Sequence, residues 1–319
     1  MAQVIKAPAL NKGDRIALIA PASAPIAEER VTKAVKYFET LGYRVVVGKH
    51  AYDTRGFLAG TDKDRISDLH TAFRDPRIKA IFCIRGGYGS IRMLPDIDYD
   101  LIRRNPKILV GYSDITALIN AIYKKTGLCS LFFGPMPGVD IWDEFDEFAE
   151  ANLWQALSSS EPLGDLPMDR DEGILLNRGK GEDAAVGKII GGNMAVLSSI
   201  CGTPFEPKWE GGILCLEEVD ERPYRIDRYL AQLRAMGVFQ KVSAIVLGQF
   251  PGCAAPEGTP SLTIEEIFAD YFTGLDIPVM SNTPFGHVSR QWTLPYGAWA
   301  RVTQTITRAS LEIVDGALS

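Results

Sequence analysis

Ile108-Leu109-Val110-Gly111-Tyr112-Ser113-Asp114-Ile115-Thr116 is the stretch that decides how this chain folds. An apolar run of strand length ends at Gly111, and from Asp114 to Tyr123 the residues Ile115, Leu118, Ile119 and Ile122 recur at helical spacing. Ser113 therefore stands on a sharp turn from strand to helix. In a nucleophile elbow such a turn holds a hydroxyl clear of the sheet's carboxyl edge and points the next amide, here that of Asp114, at an oxyanion. Ser113 would also serve simply as an N-cap, and the G-x-S-x-G pattern is absent.

Upstream, the same alternation repeats. Strand-length runs at Arg15 to Ala20, Arg44 to Val47, Ala80 to Ile84 and Lys107 to Val110 are separated by helical patterns. One carries Val31, Ala34, Val35, Phe38 and Leu41 and stops at Gly42, and the next runs from Asp62 to Phe73. This predicts an α/β fold of βαβ units with a parallel sheet. Downstream, residues 158–187 turn rich in Ser, Pro, Gly and acids, which reads as a linker. Beyond it come strand runs at Gly187 to Ile190, Ile213 to Leu216, Ala244 to Leu247 and Ala298 to Thr303, with helices at Pro223 to Met236 and Ile264 to Phe272. The expected division is a first domain over 1–157, a linker over 158–186 and a second domain over 187–319. A chain of 319 residues with 46% hydrophobic content supports two such cores, at roughly 100 to 200 residues per domain.

Composition excludes several partners. The formal net charge is -6 and no Lys/Arg-rich stretch is present, so neither nucleic acid nor an anionic membrane surface is an expected partner. No apolar run approaches the ~20 residues of a membrane span, and Met1 to Gly13 lacks a basic segment followed by a long apolar one. A cytoplasmic protein is expected. Five scattered cysteines without a C-x-x-C read as buried reduced thiols, and with only three histidines no metal site is expected.

Three further segments carry chemistry. Arg85-Gly86-Gly87-Tyr88-Gly89 follows a strand, where glycines let the backbone approach a ligand and turn N–H groups toward negative charge. It fits neither the dinucleotide nor the Walker pattern, which leaves oxyanion stabilisation or a plain turn. Ile213-Leu214-Cys215-Leu216 runs into Glu217-Glu218, whose side chains must diverge, so only one can meet a partner within the site; the other reading is an exposed strand end. His287, after Gly286 in a turn between strand-like segments, is positioned like a catalytic base, the other reading being a structural or exposed histidine; His50 ends a strand and His70 lies in a helical pattern, so His287 is the candidate if the chain uses a histidine base.

Together with Gly13-Asp14-Arg15 through Ser23, Gly134-Pro135-Met136, Gly191-Gly192-Asn193 and Pro223-Tyr224-Arg225-Ile226-Asp227-Arg228, these segments resemble the LD-carboxypeptidase family along nearly the whole chain. The resemblance implies a Rossmann-like first domain and a second α/β domain containing a β-barrel. It assigns Ser113 as nucleophile, Glu217 as orienting acid, His287 as base, and the amides of Gly87 and Asp114 as the oxyanion donors, with no cofactor. Phe133 departs from the pattern, since many relatives carry histidine there. The implied substrate is a muropeptide stem, losing a terminal D-alanine during cell-wall recycling. The alternatives are hydrolysis of peptidyl-aminoacyl nucleotides, as in the microcin C immunity branch, for which Trp142, Trp154 and Trp292 are available aromatic surfaces, and a non-catalytic muropeptide or nucleotide sensor. Arg85 and Arg225 are the cations considered for the substrate carboxylate and read as solvated surface. A homodimer is left open, two-fold dimers being the commonest soluble assembly.

Overall fold

The computed structural model describes residues 4–180 and 184–319; Met1 to Gln3, and Gly181 to Asp183 within the stretch expected to be a linker, lie outside the described residues. In chain order the first half contains β1 (Arg15–Ile19), α1 (Glu28–Thr40), β2 (Arg44–Val47), α2 (Asp62–Arg74), β3 (Ile78–Cys83), α3 (Ser90–Met93), α4 (Tyr99–Arg104), β4 (Ile108–Val110), α5 (Ile115–Thr126), β5 (Leu131–Phe133) and α6 (Glu147–Ser158). The apolar stripe of α1 buries Val31, Ala34 and Phe38, and Gly42 follows with a φ of 92°, a conformation that suits glycine. The helix after Ser113 runs on to Thr126, past its expected end at Tyr123, and stops at Gly127, whose φ is 79°.

These five strands pair in parallel in the order β2-β1-β3-β4-β5. The order reverses at β1, so the loops after β1 and β3 open a crevice at the carboxyl edge, and the turn after β4 borders it. A sixth strand comes from far along the chain. β6 (Gly164–Asp165), β7 (Ile174–Asn177), β8 (Ala184–Asn193), α7 (Met194–Ile200), β9 (Gly212–Glu217), α8 (Pro223–Ala235), β10 (Ala244–Leu247), α9 (Ile264–Phe272) and β11 (Val279–Ser281) precede β12 (Leu294–Pro295), which pairs antiparallel with β5 through Leu294–Phe133 and Pro295–Phe132. The chain ends with β13 (Trp299–Gln304) and β14 (Ala309–Ile313).

The second sheet has eight strands in the order β6-β14-β13-β8-β9-β10-β11-β7. Among the described residues it is an open ladder, with one isolated bridge from Ile174 in β7 to Arg308 beside β14. Two of its strands, β6 and β7, fall in the stretch whose composition reads as linker. Both are short edge strands, and β7 leaves Ile174 and Leu176 exposed, so turn residues outweigh them in any compositional average.

The two sheets are stitched by buried polar bonds. Asn120 on α5 donates through Nδ2 to Gly191 O (3.0 Å) and accepts from Tyr296 Oη (2.5 Å). Thr116 Oγ1 accepts from Asn193 N (3.1 Å). Satisfied bonds of this kind fix one arrangement of α5 against β8, and hence of the Ser113 turn against the second half. All five cysteines are unpaired, with Cys201 only partly buried. No helix among the described residues is long and apolar enough to cross a membrane.

Candidate active site

Ser113 has a φ of 62° and is a left-handed non-glycine residue, as are Asp220 and Asn282, which follow Glu217 and precede His287 in their loops. A left-handed side-chain-bearing residue costs on the order of 1 kcal/mol, and it persists where surrounding packing fixes it. Gly111 makes the turn sterically possible, since a Cβ there would lie 3.1 Å from Cys83 Cβ and from the Ile115 side chain. Asp114 stands at the N-cap position of α5 without capping it through its side chain; instead its buried carboxylate accepts from Ser90 N (2.8 Å) while Ser90 Oγ donates to Asp114 O (2.5 Å). Burial pushes the Asp114 carboxyl up despite these bonds.

That pair of bonds ties the glycine loop to the Ser113 turn. A Cβ at Gly86 would sit 2.8 Å from Ser113 Cβ and 2.9 Å from its Oγ. Gly87 has a φ of 100°. Ser23 braces the loop from the other side: its N–H donates to Gly86 O (3.2 Å), its hydroxyl donates to Phe57 O (2.6 Å), and it accepts from Tyr88 N (3.2 Å). Arg65, buried on α2, donates to Pro21 O (2.6 Å) and Gly89 O (2.9 Å) and pairs with Asp62. Among the described residues, the N–H groups of Gly87 and Asp114 and the hydroxyl of Ser113 have no hydrogen-bond partner. Replacing Gly86 with alanine is expected to displace the Ser113 side chain and cut turnover about 10²-fold, because a ~1 Å misplacement carries that cost. Full activity of Gly86→Ala, measured alongside its melting temperature, would refute the packing argument.

The second half supplies an imidazole and its acid. Glu217 ends β9 and accepts from His287 Nδ1 at 2.7 Å, leaving Nε2 as the proton acceptor of the neutral ring. Gly286, with a φ of 112°, is needed for this approach, since a Cβ there would lie 2.8 Å from both Cβ and Oε2 of Glu217. Glu218 diverges as alternation requires: its carboxylate accepts from Asn193 Nδ2 (2.8 Å), Ala195 N (2.8 Å) and Val219 N (3.0 Å). Burial pulls the His287 pKa down, but the Glu217 hydrogen bond, followed by the charges of Glu217, Glu218 and Asp140, outweighs it and holds the group above its ordinary value.

Asp140, Tyr112 and Gln291 complete the surroundings. Tyr112 Oη donates to Asp140 Oδ1 (3.2 Å), Gln291 Nε2 approaches the same oxygen at 3.4 Å, and Met136 N donates to Oδ2 (2.7 Å). Burial raises the Asp140 carboxyl to about 6. The Tyr112 ring meets the His287 ring edge-on at 4.9 Å between centroids, so the residue next to Ser113 touches the imidazole. No hydrogen bond joins Ser113 to His287, and catalytic bonds are often long before substrate binds. Phe133 is core, packed on Phe285 (5.9 Å) and Tyr296 (5.6 Å) beneath the turn that carries His287.

The sequence-predicted residues thus fall in two groups, Ser113, Gly87 and Asp114 on the first sheet's crevice and Glu217 with His287 on the second, meeting at Tyr112. The other histidines are engaged elsewhere: His50 with Asp53 at 2.7 Å, and His70 Nε2 as acceptor for Asp98 N (2.9 Å). Asp140, Gln291 and Arg65 escaped the sequence reading. Only Arg65 left a signal, as a charged residue four positions before Leu69 on the buried face of α2. Arg225 is exposed and paired with Glu221, whereas Arg85 is half-buried against Ala24. Trp292 is buried and donates to Pro167 O, and Trp154 stacks on Tyr43, so both are packing residues. One group among the described residues could converge on a metal, His50, Asp53 and Asp64, but Asp64 is occupied by the capping box of α2.

Known proteins resemble the chain throughout. A family profile described as "LD-carboxypeptidase N-terminal domain" matches residues 16–134, and one described as "LD-carboxypeptidase C-terminal domain" matches 186–302. The "Probable murein peptide carboxypeptidase" of Bacillus subtilis (strain 168) is 37% identical over 98% of this chain and 97% of its own length. The "Murein tetrapeptide carboxypeptidase" of Pseudomonas aeruginosa is 34% identical over 90% and 92%. Among solved structures, an MccF-like protein from Bacillus anthracis str. Ames superposes with a TM-score of 0.86 at 33% identity, covering 98% of this chain and 100% of its own.

Proposed function

This chain belongs to the LD-carboxypeptidase family, and from that membership we propose that it is a serine peptidase that releases the terminal D-alanine from murein tetrapeptide stems. The observation that carries the reading is a strained, unpartnered Ser113 beside two free amides, with the Glu217–His287 pair packed against the adjacent Tyr112. In this mechanism His287 Nε2 takes the Ser113 proton, Oγ attacks the scissile carbonyl, and the Gly87 and Asp114 amides receive the developing oxyanion. The tetrahedral intermediate expels the D-alanine amine, which takes the proton from His287. Water, activated by the same imidazole, then releases the acyl group. Each amide is worth about 3 kcal/mol to the transition state by the scale of measured oxyanion donors.

The proposal extends to a division near 1–157 and 187–319, to a second sheet that wraps toward a barrel through β7 and the Ile174–Arg308 bridge, and to a cytoplasmic homodimer working on recycled stems. A second reading, hydrolysis of peptidyl-aminoacyl nucleotides, is favoured by the likeness to the MccF-like structure. Incubation with a tetrapeptide stem and, separately, with an aminoacyl-sulfamoyl adenosine, followed by mass, separates the two. D-alanine release is the expected result, and fluorophosphonate labelling of Ser113 is expected with it. Absence of both labelling and turnover would leave a sensor as the better account.

A further inference from the structure

Arg85 immediately precedes the glycine loop, yet none of the roles above uses it. Its guanidinium is half-buried, forms no ion pair among the described residues, and makes one long bond, Nη1 to Ala24 O at 3.3 Å. Burial lowers its pKa, and the neighbouring Arg30 adds to the effect rather than relieving it. Arg30 itself lies over the Trp142 ring, 4.3 Å from its centroid. A guanidinium carries five donors in a planar fork, and no nitrogen of Arg85 is both buried and unpartnered, so its remaining donors reach solvent and are open to an anion.

The position of the fork narrows the choice of anion. Nη2 lies 3.5 Å from where a Cβ on Gly87 would be, so it stands beside the residue whose N–H is free. In a peptide whose last residue is being removed, the terminal carboxylate carbon is three bonds from the scissile carbonyl carbon, roughly 3 to 4 Å away. An oxyanion on the Gly87 amide brings that carboxylate within a few ångströms of Arg85. Arg225, the other candidate cation, is exposed and already paired with Glu221.

Resting on the carboxypeptidase reading, we propose that Arg85 anchors the free terminal carboxylate of the substrate by a bidentate bond and so makes the enzyme an exopeptidase. The chemical class recognised is an α-carboxylate one residue beyond the scissile bond. A peptide blocked as its carboxamide loses this bond, as does one extended by a further residue.

The test uses the full-length protein with two substrates, a tetrapeptide stem ending in D-alanine and the same stem ending in D-alanine amide. Wild type is expected to prefer the free acid by about 10² or more in kcat/KM, the scale on which a site built for a charged group rejects its absence. In Arg85→Gln the loss falls on the acid, by a similar factor and chiefly through KM, while turnover of the amide changes less than about threefold. Arg85→Lys, which keeps the charge but not the fork, is expected to restore part of the preference, and added guanidinium ion to restore part of it in Arg85→Gln. Equal losses on acid and amide, or an unchanged preference in Arg85→Gln, overturn the anchor while leaving the peptidase reading intact. If wild type releases D-alanine from neither substrate, the peptidase reading falls and the anchor falls with it. Melting temperatures of both variants, compared with wild type, identify any loss caused by unfolding.

Discussion

Ser113→Ala and His287→Ala are each expected to lower kcat/KM for D-alanine release by about 10⁴- to 10⁶-fold, since removing either member of the proposed nucleophile–base pair costs about as much as removing both. The double variant is accordingly no worse than either single one. Stability separates the roles of the Ser113 hydroxyl and its backbone. The hydroxyl has no partner to lose, and alanine keeps both the Cβ and its left-handed strain, so Ser113→Ala melts with wild type. Ser113→Gly removes that strain, which offsets the extra freedom of the unfolded glycine, so it too is inactive but at least as stable. Alanine left in this conformation without loss of activity would show that the hydroxyl is not the nucleophile. A large fall in the melting temperature of Ser113→Ala would show that the turn was held by contacts the geometry does not contain.

The turn at Ser113 was legible because strand and helix periods change over three residues, although a hydroxyl at that junction reads equally as an N-cap. The divergence of Glu217 and Glu218 was legible for a similar reason, as strand alternation admits one carboxylate to each face. Other features depend on long-range pairing that no local window contains. β12 joins β5 across more than 150 residues, and its two-residue length gives no periodic signal. Asp140 meets Tyr112 and Gln291 only because the loop after β5 and the turn after His287 converge on one cleft. Edge strands β6 and β7 were hidden by the turn residues around them. Compositional averages over residues 158–187 register the loops, while hydrogen bonding registers the ladder.

Glu217→Gln is expected to move the acid limb of the pH profile to lower pH while lowering its plateau. As the proposed base His287 must be neutral, so in wild type kcat/KM is expected to climb with pH through an imidazole pKa held above its ordinary value. Glutamine removes the charge-assisted bond that holds it there, burial then dominates, and the acid limb moves to lower pH. Plateau activity nonetheless falls about 10³- to 10⁴-fold, because a neutral amide fixes neither the tautomer nor the imidazolium formed in the transition state. Asp140→Asn removes a smaller, more distant charge, so its acid limb shifts in the same direction by less and its plateau is nearly unchanged. Stability follows from linkage. A histidine pKa raised by folding contributes stability below the unfolded imidazole value and loses it as pH rises through the folded one. Asp140, raised to about 6, destabilises the fold increasingly as pH rises from the ordinary carboxyl range to that value. Glu217→Gln should therefore flatten the decline in melting temperature above the ordinary imidazole pKa, and Asp140→Asn the decline below about 6. An acid limb that stays in place in Glu217→Gln would mean that the titrating group is not His287, and the acid–base assignment would have to move to another residue.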